Sequence, residues 1–269
     1  IIVIILYINN GNSLSFINNG GKMNIKNLMI SSMLVASILF GQTNSDEAVV
    51  GNLSYLEIHP GKEASFEKAV SAHVKKYHGV DQWSQWGGKV VNGKRGGQYV
   101  IGSSGHTWTD YAERKTSKAH NDEWSTIVQR HVKGTGGSTF YVKDTEASYN
   151  DRYAPMWVTN IYYTKPGKLQ TMQSILRKSA KVREKTKSDF SRGIYYNVSG
   201  GDQDGLIYEV SRMDDLSDME GEYPSIMDQW VKVHGQKDWD SMTDNWWGSF
   251  SKSETEVVQR IPGMNTPQE

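Results

Sequence analysis

The chain of 269 residues contains no cysteine. It can hold no disulfide and carry no lipid on a cysteine, so its fold must rest on its own packed core. Proline is scarce, at 6 residues, and neither sign of charge prevails, since 30 Lys and Arg stand against 30 Asp and Glu. No long run of one sign occurs, which argues against nucleic acid or an anionic membrane as a partner, because both ask for a concentrated basic face. Also missing are a Ser-His-Asp order, zinc-ligand spacing and a Walker pattern. Gly87-Gly88 and Gly96-Gly97 fall inside a hairpin pattern, so no Gly-rich phosphate loop stands between a strand and a helix. The one excess is aromatic: 9 Trp and 14 Tyr, with every Trp at position 83 or beyond. Such rings fill a core or line a pocket.

No methionine opens the chain. Residues 1–22 are dominated by Ile, Asn, Gly and Ser and read as translated upstream sequence that is not folded. Their apolar opening is far shorter than the roughly 20 residues that a membrane-spanning helix needs. From Met23 the pattern is a short region with Lys26, an apolar stretch over residues 28–40, and a polar run from Gly41 to Asp46. That order describes a secretory signal peptide over residues 23–45. The expected product is exported, to a periplasm or the extracellular space, with no membrane contact after cleavage.

The remainder contains an internal repeat, which sets architecture before any single residue is weighed. Pro60, Gly61 and Lys62 recur as Pro166, Gly167 and Lys168, each time after a β-rich run and before apolar residues at helical spacing. Strands are expected over residues 53–59 and 157–164, and the helices that follow carry the stripes Phe66, Val70, His73, Val74, Tyr77 and Met172, Ile175, Leu176, Ala180. Hairpins follow over residues 86–102 and 193–210, with Asn92-Gly93 and Gly200-Gly201 as their turns. A second helix then aligns His120, Trp124, Ile127 and Val128 with Ile226, Trp230, Val233 and His234, and final strands are expected over residues 139–146 and 249–256. The fold class is therefore α+β: two tandem βαββαβ ferredoxin-like repeats, over residues 50–150 and 155–262, with residues 263–269 as a tail.

Two such units in one chain resemble the dimeric α+β barrel superfamily, whose members include monooxygenases of the antibiotic-biosynthesis type. The resemblance rests on element order and duplication over about residues 52–260. It implies that the repeats set their sheets face to face as an intrachain barrel, each covering the open face of the other. It also implies a choice of chemistries: monooxygenases that need no cofactor, haem-degrading enzymes and other haem proteins, and members that only bind. Some haem-degrading members combine an Asn on the first strand with a Trp and a His. Those types occur here as Asn160, Trp230 and His234, or as Asn52, Trp124 and His131, but the Trp-to-His spacing is shorter than that pattern asks for.

Among the residues themselves, His120 stands where the other repeat has Ile226, and His234 where the first has Val128, so each is either a hydrogen-bonded core ring or a pocket acid or base. His131 matches Lys237 and reads as solvated; along a helix it would lie about 16 Å from His120, too far to share a metal. His73 sits on the apolar stripe and reads as structural. No metal is expected, and haem is the only cofactor that the resemblance admits. Glu57 and Glu209 interrupt apolar strands, and either becomes a candidate proton acceptor if it points inward and is desolvated. Trp86, Trp108 and His120 have no counterpart in the second repeat, where Ile194, Leu216 and Ile226 stand. That asymmetry places a pocket in the first repeat near Trp86, Tyr99, Trp108, His120 and Trp124, with Tyr208 and Trp230 as further ligand-binding candidates. Candidate catalytic groups are His120, Glu57 and His234. The expected function is an exported protein that binds a small apolar or aromatic molecule; the alternative is a cofactor-independent monooxygenase or haem-degrading-type enzyme on the same scaffold. A homodimer is compatible with either.

Overall fold

A computed structural model describes residues 6–7, 15–18, 21–23, 48–199 and 205–267. The chain divides into two units, Ile1–Glu47 and Ala48–Glu269. In the first, three short strands, Leu6–Tyr7, Ser15–Asn18 and Gly21–Met23, pair as an antiparallel sheet. The apolar stretch and cleavage region assigned to a signal peptide lie outside the described residues, as does the turn at Gly200-Gly201. No described helix is long and apolar enough to cross a membrane.

The second unit runs β1 (Val50–Ile58), α1 (Glu63–Tyr77), β2 (Trp86–Asn92), β3 (Tyr99–His106), α2 (Trp108–Glu113), α3 (Lys118–Glu123) and β4 (Val132–Lys143). It continues with β5 (Met156–Thr164), α4 (Leu169–Thr186), β6 (Arg192–Ser199), β7 (Leu206–Met213), α5 (Ile226–His234), α6 (Gln236–Ser249) and β8 (Phe250–Arg260). The eight strands close into an antiparallel barrel in the order β7-β5-β8-β2-β3-β1-β4-β6. Closure comes from pairs that join the first half of the unit to the second, such as Tyr141 opposite Asn197 and Val258 opposite Val90.

Local chemistry explains the entries to α1 and α4. His59 and Lys165 carbonyls accept from the Lys62 and Lys168 amides at 3.0 Å in each case, closing turns with Pro at the second place. Gly61 and Gly167 occupy the third with φ of 76° and 75°. Only glycine takes that left-handed conformation freely, which makes these type II turns. The second helix of the first half is shorter and more broken than its sequence pattern predicts. α3 passes into a π-turn at Trp124–Val128 and a 3-10 turn at Gln129–His131, and Ile127, expected on the buried face, is exposed. β4 also starts well before residue 139, running through Gly134, Gly136 and Gly137 with register shifts against β1.

Alternation along the strands divides the apolar residues into three cores. Leu53 and Tyr55 of β1, Val100 of β3, Trp157 and Ile161 of β5 and Tyr208 and Val210 of β7 pack together from both halves, inside the barrel. The opposite faces meet helices. Leu56, Ile58, Tyr99 and Ile101 pack on Phe66, Val70 and Val74 of α1, whereas Ile194, Tyr196 and Ile207 pack on Met172 and Leu176 of α4. The segment expected as a tail contributes to the first of these helix-side cores, because Met264 is fully buried there and Asn265 bonds with Gly87 of β2.

Candidate metal centre and adjoining cavities

Between the first-half sheet and its helices lies a cavity of about 530 Å³. Asn52, Ser54 and Leu56 of β1 and Ile101 and Ser103 of β3 form its floor, because period-2 alternation turns these side chains away from the barrel interior. Trp124 and three histidines form its roof and end. His73 projects from the buried stripe of α1, and His78 follows where that helix stops, its amide still bonded to the Val74 carbonyl at 2.8 Å. His120 sits in the first turn of α3, which Ser117 caps by accepting from the His120 amide at 3.1 Å.

Their Nε2 atoms converge. His120 Nε2 lies 3.3 Å from His73 Nε2 and 3.4 Å from His78 Nε2, and the three prospective ligand atoms lie within 4.8 Å of one another. Each Nδ1, by contrast, faces an oxygen: the Trp83 carbonyl at 2.7 Å from His78, Asn121 Oδ1 at 3.1 Å from His120, and Glu123 Oε1 at 3.5 Å from His73. The first two oxygens accept, which puts the proton of neutral His78 and His120 on Nδ1 and leaves their Nε2 lone pairs toward the cluster, whereas His73 Nδ1 makes no hydrogen bond. Burial pushes His73 down to about 4, with His120 and His78 adding to the effect, and burial also lowers His78. Both rings are therefore neutral at pH 7. Glu123 is held below the usual carboxylate range, first by the bond from Lys76 at 2.6 Å.

Beside the triad, Ser103 Oγ donates to Asn52 Oδ1 at 2.7 Å and lies 2.8 Å from the Tyr111 hydroxyl. The Arg114 guanidinium lies over the Trp83 ring at 4.2 Å and makes no ion pair among the described residues. A second cavity, of about 380 Å³, lies inside the barrel between Tyr55, Trp86, Trp157, Tyr195 and Tyr208. Its charged wall is cationic, with Lys143, Arg152, Arg212 and Arg260 against Asp151, which pairs with Arg212 at 2.8 Å and with Lys143 at 2.6 Å.

Of the catalytic and ligand-binding candidates named from sequence, His120 and Trp124 share the first cavity, while Trp86 and Tyr208 line the second. Tyr99 is fully buried in the helix-side core, its hydroxyl 2.5 Å from Glu67 Oε1. Trp108 is 40% exposed against Phe140 and Tyr111. Trp230 is buried in the other half, with Nε1 donating to Asp238 at 2.8 Å, and His234 is exposed beside it. Two expectations need correction. Glu57 points outward to Lys133 at 2.6 Å, with half of its side chain exposed, and so is no proton acceptor of a pocket. His131 is buried rather than solvated. Glu209 does point inward, but as an ion: desolvation pushes its carboxyl up, and the charges of Arg192 and Arg183 with bonds from Tyr162 and Arg192 outweigh that and hold it below the usual range. The Asn, Trp and His set of the haem-degrading pattern is not assembled, since Asn52 and Trp124 line the cavity without His131 and Asn160 bonds instead to Thr255. Haem does not fit the triad either, because two rings within 3.4 Å of a ligating nitrogen would occupy the space of the macrocycle.

Sequence reasoning missed His73 and His78 as partners of His120, and missed Arg114. The available signal was a histidine on a buried helical stripe followed by another just past the helix end.

No protein-family model matches the chain, and no curated protein sequence is similar to it. Solved structures share its fold. A candidate monooxygenase from Lactobacillus acidophilus NCFM superposes with a TM-score of 0.56 at 11% identity, over 82% of this chain and 97% of that one. One from Fusobacterium nucleatum subsp. nucleatum gives 0.56 at 12% identity, over 80% and 93%. An anthrone oxidase-like protein gives 0.51 at 9% identity, over 80% and 92%. The chain shares their fold, an α+β architecture built on an eight-stranded antiparallel barrel closed within one chain.

Proposed function

We propose that this protein binds a small, partly aromatic molecule in the cavity between the first-half sheet and its helices. The observation that carries the reading is the cavity's composition: Trp124, Leu56 and Ile101 offer apolar surface, and Ser103, Asn52, Arg114 and the histidines converge on the same space. The paired order of elements supports a second part of the reading, that the unit arose as a tandem ferredoxin-like duplication in which the first half kept the site. A homodimer would then join outer faces, since barrel closure uses both halves of one chain.

Native mass spectrometry of the full chain should find a co-purifying organic molecule. Trp124→Ala should lose it and Trp86→Ala, in the other cavity, should keep it. A bare chain mass, together with no change in tryptophan fluorescence across a panel of aromatic acids and phenols, would refute the reading. The alternative, a cofactor-independent monooxygenase, draws support from the fold shared with the candidate monooxygenases and from neutral His73 and His78, which could accept a substrate proton. It requires oxygen uptake with a hydroxylated aromatic substrate at an oxygen electrode; binding alone leaves the trace flat.

Export is a separate proposal, motivated by the apolar stretch at residues 28–40. Expression from Met23 in a secreting host should yield a product whose N-terminus falls between Gln42 and Val50. Intact Met23 on a cytoplasmic product would end it.

A further inference from the structure

We propose that His73, His78 and His120 form a binding site for one divalent first-row transition cation, zinc being the best fit, with a fourth coordination position open to the cavity. The geometry carries it. Nitrogens bound at about 2.0–2.1 Å to one tetrahedral ion lie about 3.3–3.4 Å from each other; the two Nε2 separations at His120 are 3.3 and 3.4 Å, and the third pair, His73 and His78, is wider, within 4.8 Å, and must draw together on the ion. Imidazole nitrogens at these distances need either a shared proton or a cation between them, and a cation satisfies all three at once. A core that needed only packing would hold apolar side chains here, as Ile226 does at the place of His120 in the second half.

The supporting atoms fit the same purpose. A metal-binding imidazole needs its other nitrogen tied to an acceptor, which fixes the ring's tautomer and angle. His78 has the Trp83 carbonyl and His120 has Asn121, while His73 Nδ1, buried and without a hydrogen bond, faces Glu123 Oε1 at 3.5 Å. Glu123 is itself held by Lys76 at 2.6 Å and Tyr77 at 3.4 Å, so its carboxylate is positioned rather than free. Three imidazoles and no carboxylate or thiolate form a donor set that suits zinc, copper, iron or nickel better than magnesium or calcium. Three protein ligands leave one position for water or an anionic group of a bound molecule, as in catalytic zinc sites. Arg114 lines the same cavity without an ion pair among the described residues, and would favour an anion there.

The experiment is a zinc titration of chelator-treated full-length protein against a chromogenic competitor, with no organic ligand present, so that its result is independent of the small-molecule reading. One equivalent should bind. Cobalt(II) should give the intense visible bands of a tetrahedral site, a readout on the unaltered protein. His78→Ala and His120→Ala, checked for native circular dichroism, should each lose the stoichiometric site and the cobalt bands. Glu123→Gln, which removes a positioning residue, should keep the stoichiometry and weaken binding by ~10- to 100-fold. No stoichiometric binding by the folded protein, an octahedral cobalt spectrum, or binding unchanged in both histidine variants would overturn the proposal.

Discussion

Arg192→Leu should cost about 3–5 kcal/mol of folding stability, the range for leaving one member of a buried ion pair uncompensated. In a domain of this size that lowers Tm by roughly 6–20 °C. Arg192 sits at the start of β6 and reaches into the interface between the second-half sheet and α4. It bonds Glu209 at 2.9 Å, the Leu176 carbonyl at 2.8 Å and Ser179 Oγ at 2.5 Å. Glu209 keeps Tyr162 at 2.9 Å, but without Arg192 its charge stays in a place where water cannot easily solvate it. The pH dependence supplies the sharper check. In the native protein the folded pKa of Glu209 lies below its unfolded value, so its contribution is fully present above the unfolded pKa, near ~4.3, and is lost as pH falls through the folded value. Removing Arg192 lets desolvation raise the carboxyl instead. The cost of the substitution measured by urea unfolding should therefore shrink as pH is lowered, and Arg192→Leu with Glu209→Leu should recover much of it. A loss independent of pH, or a double variant no better than the single one, would show that the pair does not act in this way.

Trp230→Ala should cost about 3–5 kcal/mol, as truncation of a fully buried Trp does. The ring has no exposed surface and packs near Trp239 and His234, with Lys178 at 5.0 Å over its face. Its Nε1 donates to Asp238, which also pairs with Lys178 at 2.6 Å, so truncation takes away both volume and the link from α5 through α6 to α4. Trp230→Phe should lose less, because it keeps most of the packing. Neither change should alter zinc affinity or ligand retention, since the ring lies in the half opposite the histidines. Thermal unfolding followed alongside the zinc titration checks both parts. A stable Trp230→Ala variant would mean that the residue is not the anchor its burial indicates.

Trp230 also shows what could be read from residues alone. Its match with Trp124 marked corresponding helices, and the recurring Pro-Gly-Lys turns marked two strand-to-helix entries, because apolar periodicity and turn chemistry are local properties. The same reasoning put Trp124 and Trp230 in one class, yet one lines a cavity and the other fills a core. β4 began earlier than expected because Gly134, Gly136 and Gly137 carry no side chain whose alternation could be followed. The histidine cluster was hidden for another reason. Helical spacing ranks His73 as inward, but it cannot say that a residue past the end of α1 and another on α3 turn their rings to the same point. Glu57 and Glu209 looked alike as acidic interruptions of strands, and only the partners Lys133 and Arg192, distant in sequence, separate a surface pair from a buried one.

Closure of the barrel by β4 on β6 and β8 on β2 has one more consequence. In a barrel built from two identical subunits, every substitution is made twice, and a weakness admitted for the sake of a pocket appears at two places at once. Here each substitution is made once. One half can hold a buried cluster of imidazoles while the other half, with Arg192, Glu209 and Trp230 between its sheet and helices, acts as the brace. Tethering also makes the association of the halves insensitive to dilution, so the barrel interior that both halves line does not open at low protein concentration as it would in a dissociating pair.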